Sequence, residues 1–301
     1  MSLFWSQWMD QFWSEETLLH IRNEWNSNLI RAPMGIMYDG YLENPEAEYD
    51  KVKTVVEAAI KLGIYVIVDW HEERADEHIP QAIQFFTNIS QTYGSYPHII
   101  YEIWNEPNGP TWPTIKTYAE QVIPAIRAND PNNIIVVGTP TWSEDVDIAA
   151  SDPLNFTNVA YTLHYYAASN KQFNRNKATT AINQGICLFI TEYGTVLGWA
   201  NGTVDENESN LWWEFSDQHQ LSYANWAIDN KNESAAALIP GTTPAQVGDT
   251  TKWTASGKFV NHKLQSTNQG VNPFPTTTPF PAHYWERTTS NTVESICLND
   301  L

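Results

Sequence analysis

The chain has 301 residues, 42% of them hydrophobic, and a formal net charge of −19 at pH 7. That length supports one large core or two smaller ones. The acidity argues against nucleic acid and anionic membrane surfaces, which are held by Lys and Arg, and no apolar run is long enough to span a bilayer.

Short β-branched and aromatic runs alternate with amphipathic stretches along the chain. "SLFW" (2–5) predicts a first strand and 15–25 the helix after it. "LIRA" (29–32) precedes a helix over 46–62, where Val52, Val55, Val56, Ala59 and Ile60 share one face and Gly63 stops the helix. "YVIVDW" (65–70) leads to a helix over 80–93, "IIYEIW" (99–104) to 113–128, and "IIVVG" (134–138) to 144–150. "VAYTLHYY" (159–166), "LFITEYG" (188–194) and "YANWAI" (223–228) precede helices over 172–184, 207–219 and 252–265. Eight strand–helix pairs in about 266 residues predict a (β/α)8 TIM barrel. A doubly wound open sheet is the alternative, but no Gly-rich phosphate loop follows an early strand. The catalytic barrel is therefore expected over 1–266. Residues 267–301, with "STNQGVNPFPTTTPFP" near their start, predict a Pro/Thr-rich linker and tail.

The catalytic face of such a barrel is the C-terminal end of its strands. Trp5, Arg31, His71, Asn105, Glu106, His164, Tyr166, Glu192 and Trp226 all fall at or just past predicted strand ends. Each has a bland reading: Arg31 as a surface ion pair, His71 as a helix cap, His164 as a satisfied core imidazole, Asn105-Glu106 as turn punctuation before Pro107. Together they gather titratable and aromatic groups at one end, where chance would scatter them over both. Two glutamates at the ends of different strands suit glycoside hydrolysis, in which one carboxyl protonates the leaving oxygen and the other attacks or activates water. A cation such as Arg31 would keep one of them ionised. No cofactor is needed and no metal is expected. H-E-x-x-H is absent, the histidines of "HEERADEH" (71–78) are seven apart, and no G-x-S-x-G elbow exists for serine catalysis. The 14 Trp and 14 Tyr suit stacking on flat ligand faces. Two cysteines, Cys187 and Cys297, exclude a disulfide framework.

"IWNEP" (103–107), "TLHYYA" (162–167) and "ITEYG" (190–194) resemble the retaining enzymes of glycoside hydrolase family 5, in clan A. "LIRAPM" (29–34), "VIVDWHEE" (66–73), "GTPTWSEDVD" (138–147) and "NWAIDNKNES" (225–234) resemble its endo-β-1,4-glucanase (cellulase) branch. The resemblance implies a secreted, monomeric enzyme acting on β-1,4-glucan. It implies Glu106 as acid/base, Glu192 as nucleophile, and Asn105 as donor to the sugar 2-hydroxyl. Arg31 and Tyr166 would hydrogen-bond the nucleophile, His71 a sugar hydroxyl, and His164 the acid/base. Trp226 would floor the cleavage subsite. Lys231 and Glu233 would reach hydroxyls toward the non-reducing end, and Trp5, Tyr41 and Trp142 would be outer stacking residues. A mannanase or xylanase of the same clan would share both glutamates, and a non-catalytic carbohydrate-binding barrel would lack one. Family members carry roughly two dozen residues before a segment like "SLFWS". The chain is thus expected to lack the extreme N-terminal hairpin and the start of strand one, leaving neighbouring backbone groups unpaired.

Overall fold

In a computed structural model describing residues 1–267, the alternating pattern folds into seven parallel strands. They are β1 (Leu29–Gly35), β2 (Tyr65–His71), β3 (Ile99–Glu102), β4 (Ile135–Val137), β5 (Val159–Tyr166), β6 (Leu188–Gly194) and β7 (Tyr223–Asn225). The strands pair in chain order with no crossover, so the doubly wound alternative does not apply.

The predicted first strand closes the ring without forming a ladder. Ser2 bridges to Arg31 on β1, and Leu3 bridges to Ile228 just beyond β7. On one flank Arg31 N–H donates to Met1 O at 2.9 Å and Leu3 N–H to Arg31 O at 2.9 Å. On the other, Ser2 N–H donates to Asn225 O and Ile228 N–H to Ser2 O, both at 2.8 Å. The expectation of unpaired neighbours therefore does not hold for these groups.

The predicted helices lie outside the ring. Pro45–Leu62 begins with Pro at its first turn and ends where Gly63 turns left-handed at φ 68°. Its Val52, Val55, Val56 and Ala59 are buried, together with the outward-facing strand residues Ile30, Ala32, Val66 and Val68. Glu15–Asn23 is capped by Ser14, whose hydroxyl accepts from Thr17 N–H. The helix predicted from 144 begins at Val146, because Asp145 is non-helical at ψ 57°, and it follows a turn in which Thr141, Trp142 and Ser143 all take positive φ. Ala255–Thr267 completes the ring, so the expected tail, apart from Thr267, lies outside the described residues.

Alternation along the strands puts every second side chain inside the ring. Leu29, Tyr65, Ile67, Ile100, Ile134, Val136, Ala160, Phe189 and Ala224 form a separate apolar cluster composed of strand residues and their immediate neighbours. Two residues further along the same inward faces stand Arg31, Asp69, Glu102 and Thr191. The ring thus carries an apolar floor beneath a charged upper layer.

Candidate active site

Arg31 is the hub of that upper layer, and it is fully buried. Its Nε donates to Glu102 Oε2 at 2.7 Å and its Nη1 to Glu192 Oε2 at 2.7 Å. Its Nη2 donates to Asn105 Oδ1 at 2.6 Å and lies 2.9 Å from Asp69 Oδ2. A guanidinium suits this place because its fork serves several acceptors in one plane.

Glu192 stands on β6, in the stretch where pairing with β7 shifts register. Besides Arg31, its carboxylate accepts from Tyr166 OH at 2.8 Å. Burial works against its charge, but His164, Arg31 and the Tyr166 hydrogen bond outweigh it and hold its pKa below the usual carboxylate range.

Glu106 lies past β3, and its Oε1 accepts from His164 Nδ1 at 2.8 Å. Here burial, reinforced by the charge of Glu192 and opposed by His164, pushes the carboxyl up to about 7. Two glutamates in one cleft are thereby driven apart, one toward the anion and one toward the acid. His164 is itself raised to about 9, where hydrogen bonds to Glu102 and Glu106 and the charge of Glu192 outweigh its burial. Its Nε2 lies 2.8 Å from Thr191 Oγ1, whose hydroxyl donates to Glu102 Oε1 at 2.6 Å. An imidazolium here donates from both nitrogens.

His71 is lowered to about 3 by burial and by Arg31, so its ring is neutral. Its Nδ1 is 2.6 Å from Asp69 Oδ2. The ring lies parallel to Trp226 at 5.3 Å and meets Trp5 edge-on at 4.1 Å. Trp226 follows β7 and is only 5% exposed, being covered by His71 and by Phe4 at 5.1 Å. Trp5 stacks on Trp8 at 4.9 Å, and Trp8 is 51% exposed. On the loop after Trp226, Lys231 Nζ pairs with Glu233 Oε2 at 2.6 Å and lies over the Phe4 ring. Trp142 is exposed beside the acid's segment, its N–H donating to Pro107 O at 3.1 Å.

Tyr41 is the one candidate that the structure puts elsewhere. It is buried in the main core, edge-on to Trp70 and to Phe85 at 5.4 Å each. Those contacts leave little open face for stacking, so the outer-platform reading is corrected to core packing.

Sequence reasoning missed Asp69, Glu102, Thr191 and Trp8. The first three carried a signal, since each lies two residues after an inward apolar residue, on the same face of its strand. Trp8 carried none, standing outside any predicted element.

One oxygen each from Glu106 and Glu192 and a His164 nitrogen lie within 4.8 Å of one another. A divalent cation could use that spacing, but each group is already engaged: Glu192 with Arg31 and Tyr166, and Glu106 with His164. The arrangement suits proton transfer and attack at one carbon lying between two carboxyls.

Known proteins resemble this chain in sequence and in fold. The family profile "Cellulase (glycosyl hydrolase family 5)" matches residues 1–232. Endoglucanase Z of Dickeya dadantii is 44% identical over 270 residues, which are 88% of this chain and 62% of that protein. The chain thus spans under two thirds of that relative's length. Among solved structures, one from Cytophaga hutchinsonii superposes with a TM-score of 0.88 at 46% identity, covering 89% of this chain and 88% of that one. The catalytic domain of the Thermobifida fusca endoglucanase gives 0.84 at 34% identity, covering 88% and 90%.

Proposed function

We propose that this chain, which belongs to the cellulase family (glycosyl hydrolase family 5), is a retaining endo-β-1,4-glucanase that hydrolyses internal bonds of cellulose and related glucans. The observation that carries the retaining mechanism is the approach of the Glu106 and Glu192 oxygens, together with a His164 nitrogen, to within 4.8 Å. Carboxyl groups about 5–5.5 Å apart suit double displacement, whereas inversion needs about 6.5–9.5 Å to admit a water.

In the first step Glu192 attacks the anomeric carbon as the bond to the leaving oxygen breaks, and Glu106 gives that oxygen its proton. In the second, Glu106 takes a proton from water as the water attacks the same carbon and releases Glu192. Arg31 and Tyr166 keep Glu192 anionic before attack and accept it back as a leaving group. The anion formed at Glu106 after the first step is stabilised by the imidazolium of His164. Asn105, with its oxygen fixed by Arg31, turns its NH2 toward the sugar 2-hydroxyl, and neutral His71 offers a nitrogen to a neighbouring hydroxyl. Trp226 offers only a partial face to the cleavage-site sugar. Trp5, Lys231 and Glu233 lie on the side we assign to the non-reducing end, with Trp142 toward the leaving chain.

The catalyst is read here as a monomer. A polymer too large to enter cells supports action outside the cell. Reducing-sugar release from carboxymethyl-cellulose, glucomannan and xylan tests the reading. The account expects the β-1,4-glucan to be cut fastest, and ¹H NMR of fresh products to show the β-anomer first. Dominant release from mannan or xylan would move the substrate assignment within the clan, and an α-anomer formed first would overturn the two-step mechanism.

A further inference from the structure

The mechanism above uses the turn over Thr141–Ser143 only for the outer ring of Trp142, and gives its backbone and Ser143 no part. Thr141, Trp142 and Ser143 have φ of 60°, 53° and 60°, three successive non-glycine residues in left-handed conformation. Such residues visit this region singly, and a run of three persists only where surrounding contacts enforce it. Those contacts converge on the peptide of the acid. Ser143 Oγ accepts from Thr139 N–H at 3.3 Å and donates to Asn105 O at 2.7 Å. Trp142 N–H donates to Pro107 O at 3.1 Å. From the other flank the same segment is held by longer bonds, Asn105 N–H to Trp70 O at 3.2 Å and Glu106 N–H to Glu72 O at 3.4 Å. Gly138 brings the turn into contact, for a Cβ there would stand 2.4 Å from Trp104 O and 2.7 Å from Pro107 Cδ.

We infer that Ser143, through the left-handed turn 141–143, is a positioning residue that sets where Glu106 delivers its proton. The inference rests on the proposed glycosidase reading. Ser143 is buried and its hydroxyl hydrogen-bonds the segment at Asn105's carbonyl. Asn105's side chain keeps its own anchor on Arg31 Nη2. Losing the Ser143 hydroxyl therefore loosens the peptide before Glu106 more than it disturbs Glu192 or Arg31. Small displacements of a proton donor are costly when the leaving oxygen needs the proton and matter little when it does not.

The test is kcat/KM across aryl β-cellobiosides of graded leaving-group pKa, for wild type, Ser143→Gly and Gly138→Ala. Glycine tolerates the positive φ, so Ser143→Gly removes the hydroxyl without opposing the turn. Gly138→Ala pushes the same segment from its other contact. Ser143→Gly should hold dinitrophenyl cellobioside within about threefold of wild type while losing about tenfold or more on the poorest leaving groups, giving a steeper leaving-group dependence. Gly138→Ala, which must displace the Trp104–Pro107 backbone, should show the same steepening on top of a general loss. Parallel loss across the whole series, or an unchanged slope in Ser143→Gly, would overturn the inference while leaving the glycosidase reading intact. A wild type that cleaves neither aryl cellobioside nor glucan would overturn the reading itself, and the inference with it.

Discussion

The two layers inside the ring are built from the same strands and differ in what burial does to them. The floor, from Leu29 through Ile67 and Ile100 to Phe189, is apolar, and each side chain removed from water there contributes about 1.5–3 kcal/mol. The layer above buries Arg31, Asp69, Glu102, His164 and Glu192. Each buried ion costs several kcal/mol of desolvation before its partners offset it. The offset works by matching charge. Burial raises Asp69 and Glu106 toward their neutral forms, while Glu102, at about 2, and Glu192 stay ionised. A little below pH 7, the ionised Glu102 and Glu192 therefore face the cations Arg31 and His164. The floor holds the barrel together; the upper layer spends part of that stability to keep one carboxyl protonated beside one that is not.

The contrast is broken most severely at Arg31. Arg31→Met should lower stability by about 3–5 kcal/mol, because removing one partner leaves buried carboxylates uncompensated. Urea unfolding measures the loss, and an unchanged midpoint would mean the layer is not charge-matched as described. Ile67→Ala sharpens the other side. It should cost about 2–4 kcal/mol through lost burial and a cavity, yet leave kcat of the folded enzyme within about threefold, since Ile67 contacts no site group through a polar bond. A large fall in kcat at preserved fold would show that the layers are not separable.

The smallest effect is a displacement in pH. The acid must be protonated, so kcat/KM should fall as pH rises through Glu106's value near 7. The nucleophile must be ionised, so kcat/KM should also fall as pH drops through Glu192's depressed value. Tyr166→Phe removes a hydrogen bond to the Glu192 anion. The acid limb should then move to higher pH while the basic limb stays. Movement of the basic limb alone would reverse the two assignments.

Much of this was legible from residue order. The helix Pro45–Leu62 followed from the spacing of Val52, Val55, Val56 and Ala59 and from Gly63, because period and stop signal coincide there. Glu106 and Glu192 stood out because a carboxylate at the end of an apolar run needs a reason. Glu102 and Asp69 did not, since inside such a run a charge looks like an interruption until alternation shows that it shares a face with Ile100 or Ile67. Strand ends were misjudged where a ladder becomes irregular: "YANWAI" reads as one run, but the regular strand stops at Asn225, and beyond it come the bond from Trp226 N–H to Tyr193 O and the Leu3–Ile228 bridge. The left-handed turn was invisible, because Thr141, Trp142 and Ser143 are not residues that announce positive φ. Tyr41 misled because the resemblance alone made it a stacking residue, and a tyrosine in a loop gives no sign of which way its ring packs.

The central claim is the division of labour between Glu106 and Glu192, and azide rescue tests it most directly. With an activated aryl cellobioside, Glu192→Ala should lose on the order of 10⁴-fold or more in kcat. Azide should restore turnover by entering the vacated face and give the α-glycosyl azide. Glu106→Ala should still form the glycosyl-enzyme from the activated substrate, and azide should then give the β-glycosyl azide. The α-product from Glu106→Ala together with the β-product from Glu192→Ala would contradict the account, because the nucleophile would then stand at the end of β3 and the acid on β6.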